Sequence, residues 1–405
     1  MAKILYISLN GMTEALGESQ VVQYLLELAK NNEIYLLSFE KPADKDKFSG
    51  MKKRLQDVNI QWKYFEYSNR FGMFSTFTQI LAAFFVSAKW VRKEKIQVVH
   101  ARSIIPAVIG MLLKKIFKVK LLFDIRGFAI DEKVMEGRLK EPSLLTSLLK
   151  KLELALYRNS DHVVTLTHVS KPIIQDNYYV KPENISVIPT CANLNLFQAI
   201  PTAEKLALKE KMGYAQNDII ILRNGSLNGS YDLDAEFKLF AQLMHLDANI
   251  KFLFLNKGQH ALIESNVDNY KIEKKKCKIL AVDFHQISHY INIADLCVFF
   301  VKPSYAKQAS APTKFAEIVA CHLYSVTNTQ YGDMEYYFNL HNVGILLDLA
   351  EVHSEPKKAA EHVIEFLKKS RNTQGYCQDF DDLFAKHFSK QIAVEKYQCI
   401  YSDLI

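Results

Sequence analysis

Val98–Arg126 reads VVHARSIIPAVIGMLLKKIFKVKLLFDIR. VVHA is a strand candidate, Ala107–Lys120 (AVIGMLLKKIFKVK) carries a helical pattern, and KLLFDIR is a second strand. Short apolar runs joined by a longer helical stretch imply parallel strands with helices packed on them. The same alternation continues outward. KILYIS and EIYLLSFE precede the segment, HVVTLT and ISVIP follow it, and a second series comprises DIIILRNG, IKFLFLN, KILAVD, LCVFFV and YSVTN. Between the two series, PTCANLNLFQAIPTAEKLALKEKMGYAQ offers no strand candidate. The expected organisation is therefore a doubly wound domain over 1–190, a linker over 191–216, a second doubly wound domain over 217–378, and a helical end over 379–405. Two such α/β domains facing across a cleft would bind ligands at the carboxyl ends of their strands.

The chain has 405 residues, 49% of them apolar and 23% charged, which excludes disordered and fibrous classes and favours two domains. Only 14 glycines and 10 prolines argue against long flexible linkers. A net charge of +7 suits an anionic substrate or an anionic membrane surface and is too small to argue for nucleic acid. Cys191, Cys277, Cys297, Cys321, Cys377 and Cys399 are widely spaced and never form Cys-x-x-Cys, so they read as buried reduced thiols of a cytoplasmic protein. MAKILYISLNG lacks the pattern of a secretory signal and reads as a first strand. Phe74–Val91 carries Gln79 and Lys89 and falls short of a bilayer span. With Arg92, Lys93 and Lys95 behind it, and Lys114, Lys115, Lys118 and Lys120 on the next helix, it offers a basic apolar surface for anionic lipid. The favoured reading is nevertheless of helices packed on a sheet with a solvated lysine edge. Gly11 and Gly17 do not form a dinucleotide fingerprint, and neither a nucleophile elbow nor a phosphate-binding lysine loop occurs. His285 and His289 have helical ligand spacing without a third ligand, so no metal is expected there.

KILYISLNGMTEALGESQV, ISVIPTCANLNLF, ILRNGSLNG, YINIADLCVFFVKP, SAPTKFAEIVA and YSVTN follow one another at a characteristic spacing. In this order and spacing they resemble segments of the GT-B glycosyltransferases, in particular glycosyltransferase family 4 of bacterial lipopolysaccharide, capsule and exopolysaccharide assembly. The resemblance implies retaining, metal-independent transfer from a UDP- or GDP-sugar, with no cofactor beyond the donor, to a saccharide or lipid-linked saccharide. It also implies that the acceptor is held by the first domain, the donor by the second, and that the C-terminal helix crosses back to the first.

In SAPTKFAEIVA, Ser310, Ala311, Pro312 and Thr313 read as a helix start whose N–H groups face the donor diphosphate, and Lys314 adds a formal charge. Glu317, a turn later, is placed to accept from the ribose hydroxyls. A capped surface helix with a Lys/Glu pair is the competing reading. Gly225, Ser226 and Arg223 are further donor-side candidates; where many relatives carry an arginine and a lysine, this chain has Ser226 and a polar residue near Ser230. Lys302, expected at a strand end, is therefore the preferred cation for the leaving phosphate, ahead of Lys307. On the acceptor side stand Gly11, Gly17, His100 and Arg102, with Arg126 in place of a frequent family histidine. Arg126 cannot act as a general base; phosphate or sugar binding remains open to it, with Asp124, Asp131 or Glu132 orienting the acceptor. A structural ion pair between Asp124 and Arg126 is the alternative. The first glutamate of the family pair is replaced by Ala309, and His322 and Tyr324 stand where they would crowd a nucleotide base. These departures leave two alternatives, a non-catalytic nucleotide-sugar or lipid-binding subunit of a glycan assembly complex and a GT-B sugar-nucleotide epimerase.

Overall fold

The computed structural model describes residues 1–66, 73–227, 229–372 and 378–405, and Cys377 lies outside them. Two compact units divide the chain. The first comprises Met1–Cys191, Gln308–Ala311 and Lys390–Ile405; the second comprises Ala192–Lys307 and Pro312–Ser389. The expected linker thus holds a helix, Thr202–Lys211, and lies in the second unit from Ala192 onward. Of the helical end, Lys390–Asp403 is a helix of the first unit, whereas Gln378–Leu383 belongs to the second.

In the first unit, the strands are β1 (Ala2–Ser8), β2 (Asn32–Glu40), β3 (Gln61–Glu66), β4 (Val98–Arg102), β5 (Lys120–Asp124), β6 (His162–Thr165) and β7 (Ile185–Val187). They form one sheet in the order β3-β2-β1-β4-β5-β6-β7, and every pairing is parallel. Ile4 pairs with Ile34 on one side and Val98 on the other. Alternate side chains serve opposite faces. Leu5 and Ile7 join the core with Ala83, Ala107 and Leu113, whereas Ile4 and Tyr6 join Leu25, Tyr397 and Tyr401. Both faces are covered, which is why the strands read as nearly unbroken apolar runs.

The second unit repeats the plan with β8 (Ile219–Asn224), β9 (Ile250–Leu255), β10 (Cys277–Leu280), β11 (Leu296–Val298), β12 (Ser325–Asn328) and β13 (Gly344–Leu347). Its sheet runs β10-β9-β8-β11-β12-β13, again parallel throughout. Ile220 and Leu222 pack on one face, Ile219 and Ile221 on the other. The sequence reading anticipates every strand except β3 and β13, one edge of each sheet. In each unit the strand order reverses beside the first strand, between β1 and β4 and between β8 and β11. Such reversals open the crevices where doubly wound sheets bind ligands.

Cysteines 191, 297 and 321 are buried, but Cys277 is only half-buried and Cys399, on the outer face of the last helix, is exposed. Among the described residues no helix is long and apolar enough to cross a membrane.

Candidate active site

The carboxyl end of β8 turns at Gly225, whose φ of +96° is open to glycine and strained for other residues. Asn256 Nδ2 donates to Gly225 O at 2.8 Å, and Leu227 N donates to Gln259 Oε1 at 2.8 Å, fixing the turn from the residues after β9. A Cβ on Gly225 would lie 1.5 Å from Lys314 Nζ, so the missing side chain is the seat of that ammonium. Lys314 Nζ donates to Asn224 O at 2.8 Å and lies 5.7 Å from the Tyr231 ring centroid. Burial, reinforced by Arg223, draws the lysine from its ordinary 10.5 to about 8, with Glu317 pulling the other way.

Lys314 and Glu317 stand on the helix Thr313–Ala320, whose N-cap is Pro312 and which no side chain caps. Its first turn therefore presents backbone N–H groups. Glu317 is buried, and burial pushes its carboxyl up to about 7 against the pull of Lys314. Its carboxylate makes no hydrogen bond among the described residues, which leaves it free to accept from a ligand. This cation, uncapped helix start and open carboxylate form the arrangement that the sequence reading placed on the donor.

Other expected contacts are corrected. Arg223 is committed internally: Nε donates to Glu236 Oε2 at 2.8 Å, Nη1 to Asn224 O at 2.8 Å, and Nη2 to Ser226 O at 3.3 Å. Its guanidinium also stacks over Tyr231, and at 2% exposure it is framework rather than a donor contact. Lys302 is not at a strand end; β11 closes at Val298, and Lys302 is exposed in the loop beyond, its N–H bonded to Ser230 O. Ser310 lies before the helix, which starts only at Thr313. With Ala311 it belongs to the first unit, where its hydroxyl donates to Glu132 Oε1 at 3.2 Å, while Pro312 and Thr313 belong to the second. Ala309 is fully buried in the first unit's core. His322, at φ +52°, stacks on Phe380 and bonds Asp381 at 3.0 Å, and Tyr324 packs on Phe366 and Phe380. Both rings are thus taken up by the end of the second unit rather than by a base pocket.

In the first unit, Gly11 and Gly17 are packing positions. A Cβ on Gly17 would lie 1.8 Å from Gly11 O, and one on Gly11 would lie 2.8 Å from Glu40 Oε2. Glu40, unexpected from sequence, ends β2 fully buried and accepts from Met12 N at 2.8 Å and from Thr13 N at 3.2 Å. His100 and Arg102 are likewise buried rather than open to an acceptor. They meet Asp124, which is also buried and which contacts Arg126 at 3.5 Å. Burial alone would raise the Asp124 carboxyl, but Arg126, His100 and Arg102 hold it well below the usual carboxylate range. The last helix adds Tyr397, whose hydroxyl donates to Asp124 Oδ2 at 3.1 Å, and Tyr401, whose hydroxyl lies 2.7 Å from His100 Nδ1. Asp131 pairs with Lys150, which also contacts the buried Glu153 at 3.1 Å. Among the described residues no group of three His, Cys, Asp or Glu side chains is placed to hold a metal ion.

The two parallel sheets define a GT-B glycosyltransferase fold, as structural comparison shows along the whole chain. The chain is similar to HepE of Anabaena, solved with UDP and glucose, at a TM-score of 0.73 and 14% identity, covering 100% of both chains. A glycosyltransferase of Rickettsia africae matches at a TM-score of 0.72 and 17% identity, over 100% of this chain and 98% of that one. The lipopolysaccharide outer core galactosyltransferase WaaB, in its apo form, matches at 0.68 and 11% identity over 99% of each chain. A sequence comparison with curated proteins gives no match. Residues 18–196 match the model of Glycosyltransferase Family 4.

Proposed function

We propose that the chain is a retaining, metal-independent glycosyltransferase that moves a sugar from a UDP- or GDP-sugar to a saccharide or lipid-linked saccharide in cell-surface glycan biosynthesis. The observation that carries this reading is the seating of Lys314 Nζ against Gly225, 2.8 Å from Asn224 O, at the carboxyl end of β8. Bond cleavage leaves negative charge on the departing diphosphate, and a desolvated cation beside uncapped N–H groups stabilises that charge. Glu317 takes the ribose hydroxyls. The structures of HepE with UDP, with UDP and glucose, and with UDP-glucose support a uridine diphosphate donor by analogy of fold.

A thermal-shift panel of UDP, GDP, CMP and their sugar conjugates tests the donor assignment, since a ligand of the native state raises the melting temperature. One nucleotide class should stabilise wild type and lose that effect in Glu317→Ala. Retention is read from the anomeric configuration of the product by NMR, and metal independence from turnover in EDTA. Inverted product or activity abolished by EDTA would reject the corresponding part of the reading. Binding of a nucleotide sugar without turnover on any acceptor, relieved only by a partner protein, would favour the non-catalytic subunit.

We place the protein on the cytoplasmic side of the membrane, in peripheral contact with it. Leu81 and Phe85 are 45% and 62% exposed on the helix Met73–Glu94, and Leu112 and Ile116 are 41% and 60% exposed on the packed helix Ile104–Phe117. Lys89, Arg92, Lys115 and Lys118 are exposed beside them, whereas Lys114 and Lys120 are paired with Asp161. Apolar side chains flanked by cations suit an anionic bilayer surface. Sedimentation with phosphatidylglycerol vesicles should fall from low to high salt, and absence of binding at low salt discards the contact.

A further inference from the structure

The buried cluster of the first unit contains more positive charge than its own carboxylate balances. Asp124 faces an arginine with each oxygen: Oδ2 is 3.5 Å from Arg102 Nη1, and Oδ1 is 3.5 Å from Arg126 Nη1. Among the described residues it is the one carboxylate paired with either guanidinium. Both contacts are long, so neither guanidinium commits its planar fork to Asp124. Arg102 is 2% exposed, yet its Nε makes no hydrogen bond. Arg126 also neighbours the phenols of Tyr6, Tyr24 and Tyr397, which burial keeps protonated. Burial likewise favours the neutral form of His100. Two guanidinium groups therefore share one carboxylate in a desolvated setting, and uncompensated buried charge is costly.

The cluster is most open at Arg126. The side chains of Asp124 and Arg102 are 0% and 3% exposed, whereas that of Arg126 is 16% exposed. It stands just past β5, next to the reversal of strand order where Ser8 of β1 pairs with Arg102 of β4. Ligands of open parallel sheets enter at such a point.

We propose that Arg126, backed by Arg102 and oriented by Asp124, is the seat of a phosphate group, so that the acceptor glycosylated by this chain is phosphorylated. The acceptor clause rests on the transferase reading; the phosphate seat does not. A guanidinium with free N–H groups matches a phosphate bidentately, and its charge supplies the counterpart that the cluster lacks. The same chemistry serves a sugar phosphate or a lipid diphosphate. Tyr397 acts through Asp124 as a positioning residue, which gives the C-terminal helix a part in the acceptor site.

Isothermal titration with inorganic phosphate, glucose 6-phosphate, detergent-solubilised farnesyl diphosphate and glucuronate, alongside UDP, tests this on wild type, Arg126→Gln and Arg126→Lys. Inorganic phosphate should bind wild type, weaken at least about 10-fold in Arg126→Gln and recover partly in Arg126→Lys. UDP affinity should stay within about twofold across the three, since the donor site is in the second unit. Preference for glucose 6-phosphate or for farnesyl diphosphate separates a soluble from a lipid-linked acceptor. Should Arg126→Gln fail to fold, Arg126→Lys carries the test, because a point charge in place of the fork should still weaken phosphate about threefold or more. Equal phosphate affinity in the folded variants and wild type, no phosphate binding by wild type, or glucuronate binding as tightly as phosphate overturns the proposal. If phosphate binds through Arg126 while no nucleotide binds, the transferase reading falls and the phosphate seat stands.

Discussion

Replacing Lys314 with methionine should make the ligand-free protein more stable while damaging its donor site. The lysine pKa falls from 10.5 to about 8 on folding, first because the group is buried and then because Arg223 is near. At about 1.4 kcal/mol per pH unit, charging this group in the folded state costs roughly 3 kcal/mol at neutral pH. Methionine keeps the apolar stem and removes the charge; losing the bond to the Asn224 carbonyl returns about 1 kcal/mol. The net gain of about 2 kcal/mol corresponds to a rise of roughly 4 to 8 °C in the melting of the second unit. The advantage depends on pH in a defined way. A depressed lysine pKa penalises folding fully below the folded value of about 8, and the penalty disappears as pH rises past the unfolded value of 10.5. The stability advantage of Lys314→Met should therefore be complete at pH 7 and absent near pH 11. The nucleotide that stabilises wild type should meanwhile bind the variant roughly 10- to 100-fold more weakly, the worth of one charge-assisted phosphate contact. Calorimetric melting at both pH values and nucleotide titration at neutral pH measure the two halves. A lower melting temperature at pH 7, an advantage that persists at pH 11, or unchanged nucleotide affinity would refute the reasoning.

Glu236→Ala should destabilise the second unit by about 3 to 5 kcal/mol, because it strips a buried guanidinium of its carboxylate and Phe300 N of its acceptor; a denaturant titration within 1 kcal/mol of wild type would discount that framework role. Ala309→Glu installs the carboxylate that the family resemblance leads one to expect there and should lower stability by at least about 2 kcal/mol, since the position is fully enclosed in the first unit's core. Unchanged melting together with a gain in transfer rate would show that a carboxylate there reaches the sugar instead.

The framework of both sheets is legible in the sequence because their central strands are buried on both faces and so advertise themselves as apolar runs. The two edge strands do not share that property. β3 (QWKYFE) leaves four of its six residues exposed, and β13 (GILL) spans four residues, three of them half-buried. Cysteine exposure is hidden from the sequence for a related reason, since Cys399 lies on a helix with only one covered face, and residue type alone does not report which face that is.

The site is harder to read because its chemistry depends on which cation is already spent. Arg223 and Lys314 both stand out as candidates, and nothing in either local segment ranks them. The ranking comes from Glu236, thirteen residues after Arg223, on a helix that reads as ordinary. It takes the arginine into the framework, and the Arg223 charge then lowers the lysine further while Gly225 leaves room for it. Ser310 falls outside the helix for a similar reason: Ala309 is drawn into the first unit's core while Pro312 belongs to the second unit, so the helix begins only at Thr313. An alanine gives no local sign of which core will claim it. Both outcomes are set by tertiary partners, and Lys314 is the candidate cation because the stronger and more conspicuous Arg223 is neutralised by Glu236.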